Sequence, residues 1–202
     1  MWRTGPATSL VLACAILASA VGLRADVRAS KRDAALLKQK VAAISAHAEK
    51  PTRAPRRTIV TENEVNSYLV YEAREQIPVG VVEPSITIVG PGRLSGRAVV
   101  DLDAVRKQKA PTSLLDPMNY LMGRLAVTAV GTLKTAGGTG HFELESASVG
   151  SVPIPKILLQ EIVSHYSRTP EKPGGIGLDD PFVLPARIRE IQVTRGQAII
   201  VQ

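Results

Sequence analysis

The sequence RLAVTAVGTLKTAGGTGHFELESASV spans residues 124–149 and alternates between apolar or small side chains and polar ones on both sides of Ala136-Gly137-Gly138. Alternation with a two-residue period is typical of a half-buried β-strand, and a glycine pair between two such runs is typical of a hairpin turn. The pattern therefore predicts strands over residues 124–134 and 139–149. Their apolar side carries Leu125, Val127, Ala129, Gly131, Leu133, Gly140, Phe142 and Leu144.

The residues before this hairpin repeat the same design. Residues 81–89 and 93–103 predict two strands around Gly90-Pro91-Gly92, and the second strand alternates in the same way. One side of that strand carries Leu94, Gly96, Ala98, Val100 and Leu102. Upstream, Thr61-Glu-Asn-Glu64 is a capping box that predicts the start of a helix, which we expect to end before Pro78.

A second helix is predicted after the central hairpin. Pro153-Ile-Pro155 opens it, and the spacing of its apolar residues is that of an amphipathic helix. Its apolar side carries Ile154, Ile157, Leu158, Ile162, Val163 and Tyr166, and its polar side is expected to point away from the domain. Short strands are predicted over residues 181–184, 188–195 and 197–202. With no parallel βαβ rhythm, the predicted fold is α+β: a curved antiparallel sheet built of hairpins, with two amphipathic helices packed on its apolar face.

The first residues have the pattern of an export signal. Arg3 and the terminal amine precede an uncharged run, residues 7–23, and Ala18-Ser19-Ala20 supplies small residues for a signal peptidase. We predict a signal peptide over residues 1–20 and an exported protein, periplasmic or extracellular. An uncleaved inner-membrane anchor is the alternative, although the cations that follow the run oppose the positive-inside bias.

The positive charge of the chain is concentrated in a tail, residues 21–57, that is predicted to precede a domain over residues 58–202. The tail has ten cations and three anions, whereas residues 58–202 have 14 cations and 15 anions. A helix capped by Ser30 and running through Ala48 is predicted here, with an apolar stripe formed by Ala34, Leu37, Val41 and Ile44. The tail is either a basic arm held on an anionic membrane surface or a solvated spacer. No nucleic acid is expected, because the domain shows no basic face interleaved with aromatic residues.

Residues that could carry catalysis are scarce. His47, His141 and His165 have no metal-ligand spacing, and Cys14 lies within the predicted signal, which leaves a mature chain without a thiol. Two pairs of acids, Asp101 with Asp103 and Glu143 with Glu145, are interpreted as members of cross-strand ion pairs. We therefore expect no enzyme activity, no cofactor and no metal site.

The remaining candidate is the apolar side of the sheet, which either closes as a dry core or leaves a slot for an acyl chain. Lipid sites are usually apolar clefts with few polar groups, so the scarcity of catalytic residues is compatible with one. The predicted groove-lining residues are Leu94, Ala98, Val100, Leu125, Val127, Phe142, Leu144, Ile157, Leu158 and Ile162.

The order of these segments resembles that of a known group of exported proteins. A capping box with an Asn-x-Tyr-Leu helix, two glycine-punctuated hairpins, and Val-Gly-x-Val-Pro-Ile-Pro leading into an amphipathic helix resemble bacterial proteins of the YpmS and LmeA type. Those proteins are similar to tubular lipid-binding (TULIP-like) domains, in which a curved sheet wraps a helix around a lipid groove. The resemblance covers roughly residues 60–202 and implies non-catalytic binding of a lipid or other amphiphile.

Two questions stay open at this point. The chain has room for one such unit, so a homodimer or another partner could be needed to complete a groove. The alternative function is a structural or adaptor protein that binds another envelope protein through its sheet.

Overall fold

A computed structural model describes residues 29–49, 54–108, 122–166, 168 and 172–202. The predicted signal segment and Cys14 lie outside these residues. The described helices are α1 (Lys31–Ala48), α2 (Glu62–Tyr71), α3 (Leu102–Gln108) and α4 (Lys156–Tyr166). The described strands are β1 (Arg57–Thr61), β2 (Val81–Ile88), β3 (Arg93–Asp101), β4 (Arg124–Ala136), β5 (Thr139–Val149), β6 (Val152–Pro153), β7 (Phe182–Val183), β8 (Glu190–Thr194) and β9 (Gln197–Val201).

The strands form two sheets, and within each sheet the described strand pairs are antiparallel. The larger sheet has the order β2-β3-β4-β5-β6, with β7 also paired to β5, and the smaller sheet has the order β1-β9-β8. The α+β class and the antiparallel hairpins are confirmed. The single predicted sheet is corrected to two, because β8 pairs with β9 and β9 pairs in turn with β1, a strand that the sequence did not predict.

The smaller sheet meets the larger one at the hairpin turns. The Gly92 amide donates to the Val193 carbonyl over 3.1 Å, and the Gly196 amide donates to the Ile88 carbonyl over 3.0 Å. The Thr135 hydroxyl also binds β8, accepting from the Ile191 amide at 2.8 Å. These few bonds join an end of one sheet to the other, so the two do not form one continuous ladder.

Helix α1 packs against the domain. Ser30 caps it as predicted by accepting from the Asp33 amide, and Ala34, Leu37 and Ile44 are buried. Val41, the fourth residue of the predicted stripe, is 43% exposed. Ile44 shares a core cluster with Leu184 and Ile188, which precede β8.

The described part of the predicted tail is therefore part of the folded unit. Its stripe contacts protein, and two of its cations, Lys38 and Lys40, form ion pairs with Glu72 and Glu64 of the α2 region. Among the described residues, no helix has the length and apolar character needed to cross a membrane.

Helix α2 lies along the outer edge of β2. The Asn66 side chain donates to the Ile86 carbonyl (2.8 Å) and accepts from the Ile86 amide (2.7 Å), and Glu62 accepts from the Ile88 amide (2.6 Å). An unpaired strand edge is a template for unwanted strand addition, and buried backbone groups need hydrogen-bond partners. The polar side of α2 supplies those partners, which explains why Asn66 is buried. The hydroxyl of the buried Ser67 instead accepts from the Ser30 amide over 3.0 Å.

Strand β3 departs from its predicted boundary, and helix α4 departs from its predicted orientation. Strand β3 ends at Asp101, and α3 replaces its last predicted residues because Asp101 accepts from the Ala104 amide and starts a helical turn. Helix α2 ends at Tyr71, before Pro78 as predicted. The polar residues of α4 do not point away: Gln160 accepts from the Leu178 amide, and Lys156 pairs with Asp179.

Replacing Ile44 tests whether α1 belongs to the cooperative domain. Ile44 is 5% exposed, so Ile44→Ala removes packed methyl groups and should lower the free energy of unfolding by about 2–4 kcal/mol. Val41→Ala in the same helix should lower it by less than about 1 kcal/mol, since Val41 is exposed. Urea denaturation measures both; equal effects would mean that α1 is not packed as described.

Candidate functional site

The register of the larger sheet brings the seven predicted strand residues onto one face. Val100 lies opposite Leu125, and Ala98 lies opposite Val127. Leu94 and Leu144 both pair with Gly131 from opposite sides. Residues that face each other across antiparallel strands share a side of the sheet. We name this side the open face, defined by Leu94, Ala98, Val100, Leu125, Val127, Phe142 and Leu144.

These seven residues are each only partly buried. The described helices contact the sheet chiefly through single strands: α2 through β2, α3 through β4 and α4 through β5. The predicted packing of two helices on the apolar face is therefore not what the described residues show, because α2 binds the sheet edge instead. An apolar face that stays in contact with water is a common mark of a binding surface.

A row of small residues crosses the open face. Gly96 pairs with Ile86 on one side and with Ala129 on the other, and Ala129 pairs in turn with Ala147. A Cβ atom added to Gly96 would meet no atom within 4 Å, whereas one added to Gly131 would clash with the Phe142 ring. The space over Gly96 is thus open, and the space over Gly131 is filled by Phe142.

The helical members of the predicted site are placed differently. Ile157 and Leu158 of α4 are 79% and 50% exposed, so they do not share the partly buried environment of the strand residues. The cause is the hydrogen bonding of the other side of α4 to residues 176–179. Ile162 lies within α4, and its side chain is outside the described part of the chain.

Sequence reasoning also missed members of the open face. By register, Val81, Ile86 and Val149 lie on the same side of the sheet as Val100, Gly96 and Val127. Ile86 and Ile88 alternate along β2, so the period of that strand carried a usable signal. The Pro84 region concealed it, because the register shifts between Val82 and Ser85.

The opposite face of the sheet is polar and is crossed by ion pairs. Arg93 pairs with Glu145 at 2.7 Å, Lys134 with Glu143 at 2.6 Å, and Arg124 with Asp101 at 3.2 Å. The interpretation of these three acids as members of cross-strand ion pairs is confirmed. Asp103 is not on the strand with Asp101; it lies in α3 and accepts from the Gly123 amide.

Hydrogen bonds on this face lower the pKa of its carboxyl groups. The hydroxyl of Thr132 is the main cause of the lowered pKa of Glu145, followed by Arg93. Lys134 lowers the pKa of Glu143, and the Ala104 amide lowers the pKa of Asp101. The carboxyl groups are therefore held ionised, which favours electrostatic pairing over proton transfer at neutral pH.

Nothing in this arrangement identifies a reaction centre. His141 lies 3.9 Å from Glu143, beside the Lys134 pair. Within the described ranges there is no group of three or more His, Cys, Asp or Glu side chains that could hold a metal ion.

Comparison with known proteins adds no relative. No protein-family model matches the chain, no curated protein is significantly similar to it, and no solved structure matches it.

Removing the Thr132 hydroxyl tests the electrostatics of the polar face. Thr132→Val removes the 2.7 Å hydrogen bond to Glu145, so the pKa of Glu145 should rise toward its ordinary value. A lowered pKa in the folded state stabilises the protein above the pKa of the unfolded state, and this stabilisation is lost as the pH falls. NMR titration of the Glu145 carboxyl measures the shift; the pKa of Glu143 should stay unchanged.

Proposed function

We propose that this protein is an exported envelope protein that binds a lipid or another amphiphile on the open face, without transforming it chemically. The observation that carries the proposal is the combination of seven aligned apolar side chains with incomplete burial of each of them. The export pattern of residues 1–20 and the resemblance to YpmS and LmeA type proteins point in the same direction.

The energetics favour a ligand with a long apolar part. Each methylene removed from water contributes about 0.8 kcal/mol, so roughly ten buried methylenes supply the gross free energy of a micromolar complex. The open face offers methyl and methylene groups over four strands, and its carboxylates and cations lie on the other side. Recognition would therefore be directed at the acyl chain rather than at a charged headgroup.

An adaptor role is the second candidate, and a different surface favours it. Ile157 and Leu158 of α4 are exposed, and so is Ile176, whose carbonyl accepts from the Gln160 side chain of the same helix. Solvent-exposed apolar clusters of this kind also mark protein–protein interfaces. An adaptor would retain a protein partner and no lipid.

Filling the open space over Gly96 tests amphiphile binding. Gly96→Leu places a side chain in open space, so the variant should fold and yet lose a bound acyl chain by steric exclusion. Native mass spectrometry of the exported protein, purified without detergent, should show an adduct of lipid mass in the wild type that organic extraction removes. The adduct should be at least about tenfold less abundant in Gly96→Leu.

Ser95→Leu is the matched control, because it adds a similar volume to the adjacent position on the polar face. It should retain the lipid adduct. A wild-type protein with a single ligand-free mass and no uptake from added liposomes would overturn the proposal and favour the adaptor role.

A further inference from the structure

Helix α1 has two sides with different surroundings. The side with Ala34, Leu37 and Ile44 is buried, and the opposite side faces solvent. The solvent side carries Lys31, Arg32 and Lys38, and the exposed Arg56 reaches it by donating to the Ala43 carbonyl over 3.2 Å. We name Lys31, Arg32, Lys38 and Arg56 the basic helix face.

The charge on this face is not balanced locally. From Ala34 to Ala48 the helix contains no acid, and Asp33 is engaged with the Ser30 cap. Lys38 pairs with Glu72, which raises the pKa of Lys38, but the structure shows no ion pair for Lys31, Arg32 or Arg56 within its described residues. Residues 58–202 have nearly equal numbers of cations and anions, so the excess positive charge lies in residues 21–57, and α1 together with Arg56 contributes five of the ten cations of that segment.

The shape of the same face permits close approach to a flat surface. Between the cations lie the exposed Ala35, Gln39 and Ala42, and the partly apolar flanks carry Leu36 and Val41, which are 37% and 43% exposed. Small side chains let a helix axis come near an interface, while long cationic ones extend their charges toward headgroups. An acidic polymer would be attracted by the charge but would gain nothing from these flanks.

We propose that the basic helix face docks on an anionic lipid surface and that it does so while the buried stripe of α1 remains in the protein core. The membrane contact is then electrostatic, with each cation near the surface contributing to the affinity, and it is screened by salt. This inference does not rest on amphiphile binding by the open face, because α1 and that face are separate parts of the fold.

A fluorescent reporter on α1 tests the docking directly. The full chain with Cys14→Ser and Ala42→Cys carries one thiol, on the exposed side of α1, for an environment-sensitive dye. Its emission should shift on adding phosphatidylglycerol vesicles and should not shift with phosphatidylcholine vesicles. The double substitution Lys31→Gln with Arg32→Gln should weaken the apparent affinity at least about tenfold, and high salt should abolish the shift.

Lys107→Gln with Arg195→Gln is the matched control. It removes the same charge from exposed positions on α3 and on the β8–β9 turn, and it should leave the shift unchanged. Loss of the shift in both double variants would show a general charge effect and overturn the inference. So would an equal shift with phosphatidylcholine, or binding to soluble polyglutamate without any response to vesicles.

Gly96→Leu separates this inference from the proposed function. A variant that has lost its bound amphiphile should still dock on phosphatidylglycerol vesicles through α1. Failure of docking in wild type and Gly96→Leu alike would refute the inference while leaving amphiphile binding intact.

Discussion

The first turn of α2 joins four parts of the structure, and their arrangement depends on it. The capping box is reciprocal: Thr61 donates its amide to Glu64 over 2.9 Å, and the Glu64 amide donates to the Thr61 hydroxyl over 3.3 Å. Glu64, which is buried, also pairs with Lys40 of α1, and Glu62 binds Gly196 of the smaller sheet and Ile88 of the larger one. A buried carboxylate is stable only when it is paired and hydrogen-bonded, so α1 cannot move away without leaving the charge of Glu64 without its cation.

The local signals in the sequence predicted most of the elements. The hairpins around Gly92 and Gly137, the capping box at Thr61 and the Ser30 cap are all confirmed, because each depends on residues a few positions apart. The features that were not predicted depend on contacts between residues far apart in the sequence. Strand β1 is short and finds its partner at Val201, near the other end of the described chain. The spacing of apolar residues shows that α1 and α4 each have an apolar and a polar side. Which side contacts the rest of the protein depends on the tertiary fold.

The candidate site shows the same division. Alternation in β3, β4 and β5 was sufficient to place seven apolar residues on one side, since an antiparallel register preserves the two-residue period. Their exposure could not be predicted, because it depends on where the helices pack. Helix α2 lies at the edge of β2 because the Asn66 side chain forms hydrogen bonds with the backbone groups of Ile86. A pattern of hydrophobic residues cannot predict that placement. The open space over Gly96 likewise follows from what its neighbours do not cover.

The two faces of the larger sheet differ in how their side chains are satisfied in water. On the polar face, the acids Glu143, Glu145 and Asp101 each have a cation beside them, so that face is satisfied in water without a ligand. On the open face, apolar side chains remain partly in contact with water. Each square ångström of apolar surface left in water lacks the stabilisation of about 25 cal/mol that its burial would give. In most α+β domains, helices pack on the sheet and bury this apolar surface, so folding does not require it to stay in water. A ligand or partner that covers the open face would bury this surface instead, and the stabilisation gained by that burial would contribute to the free energy of binding.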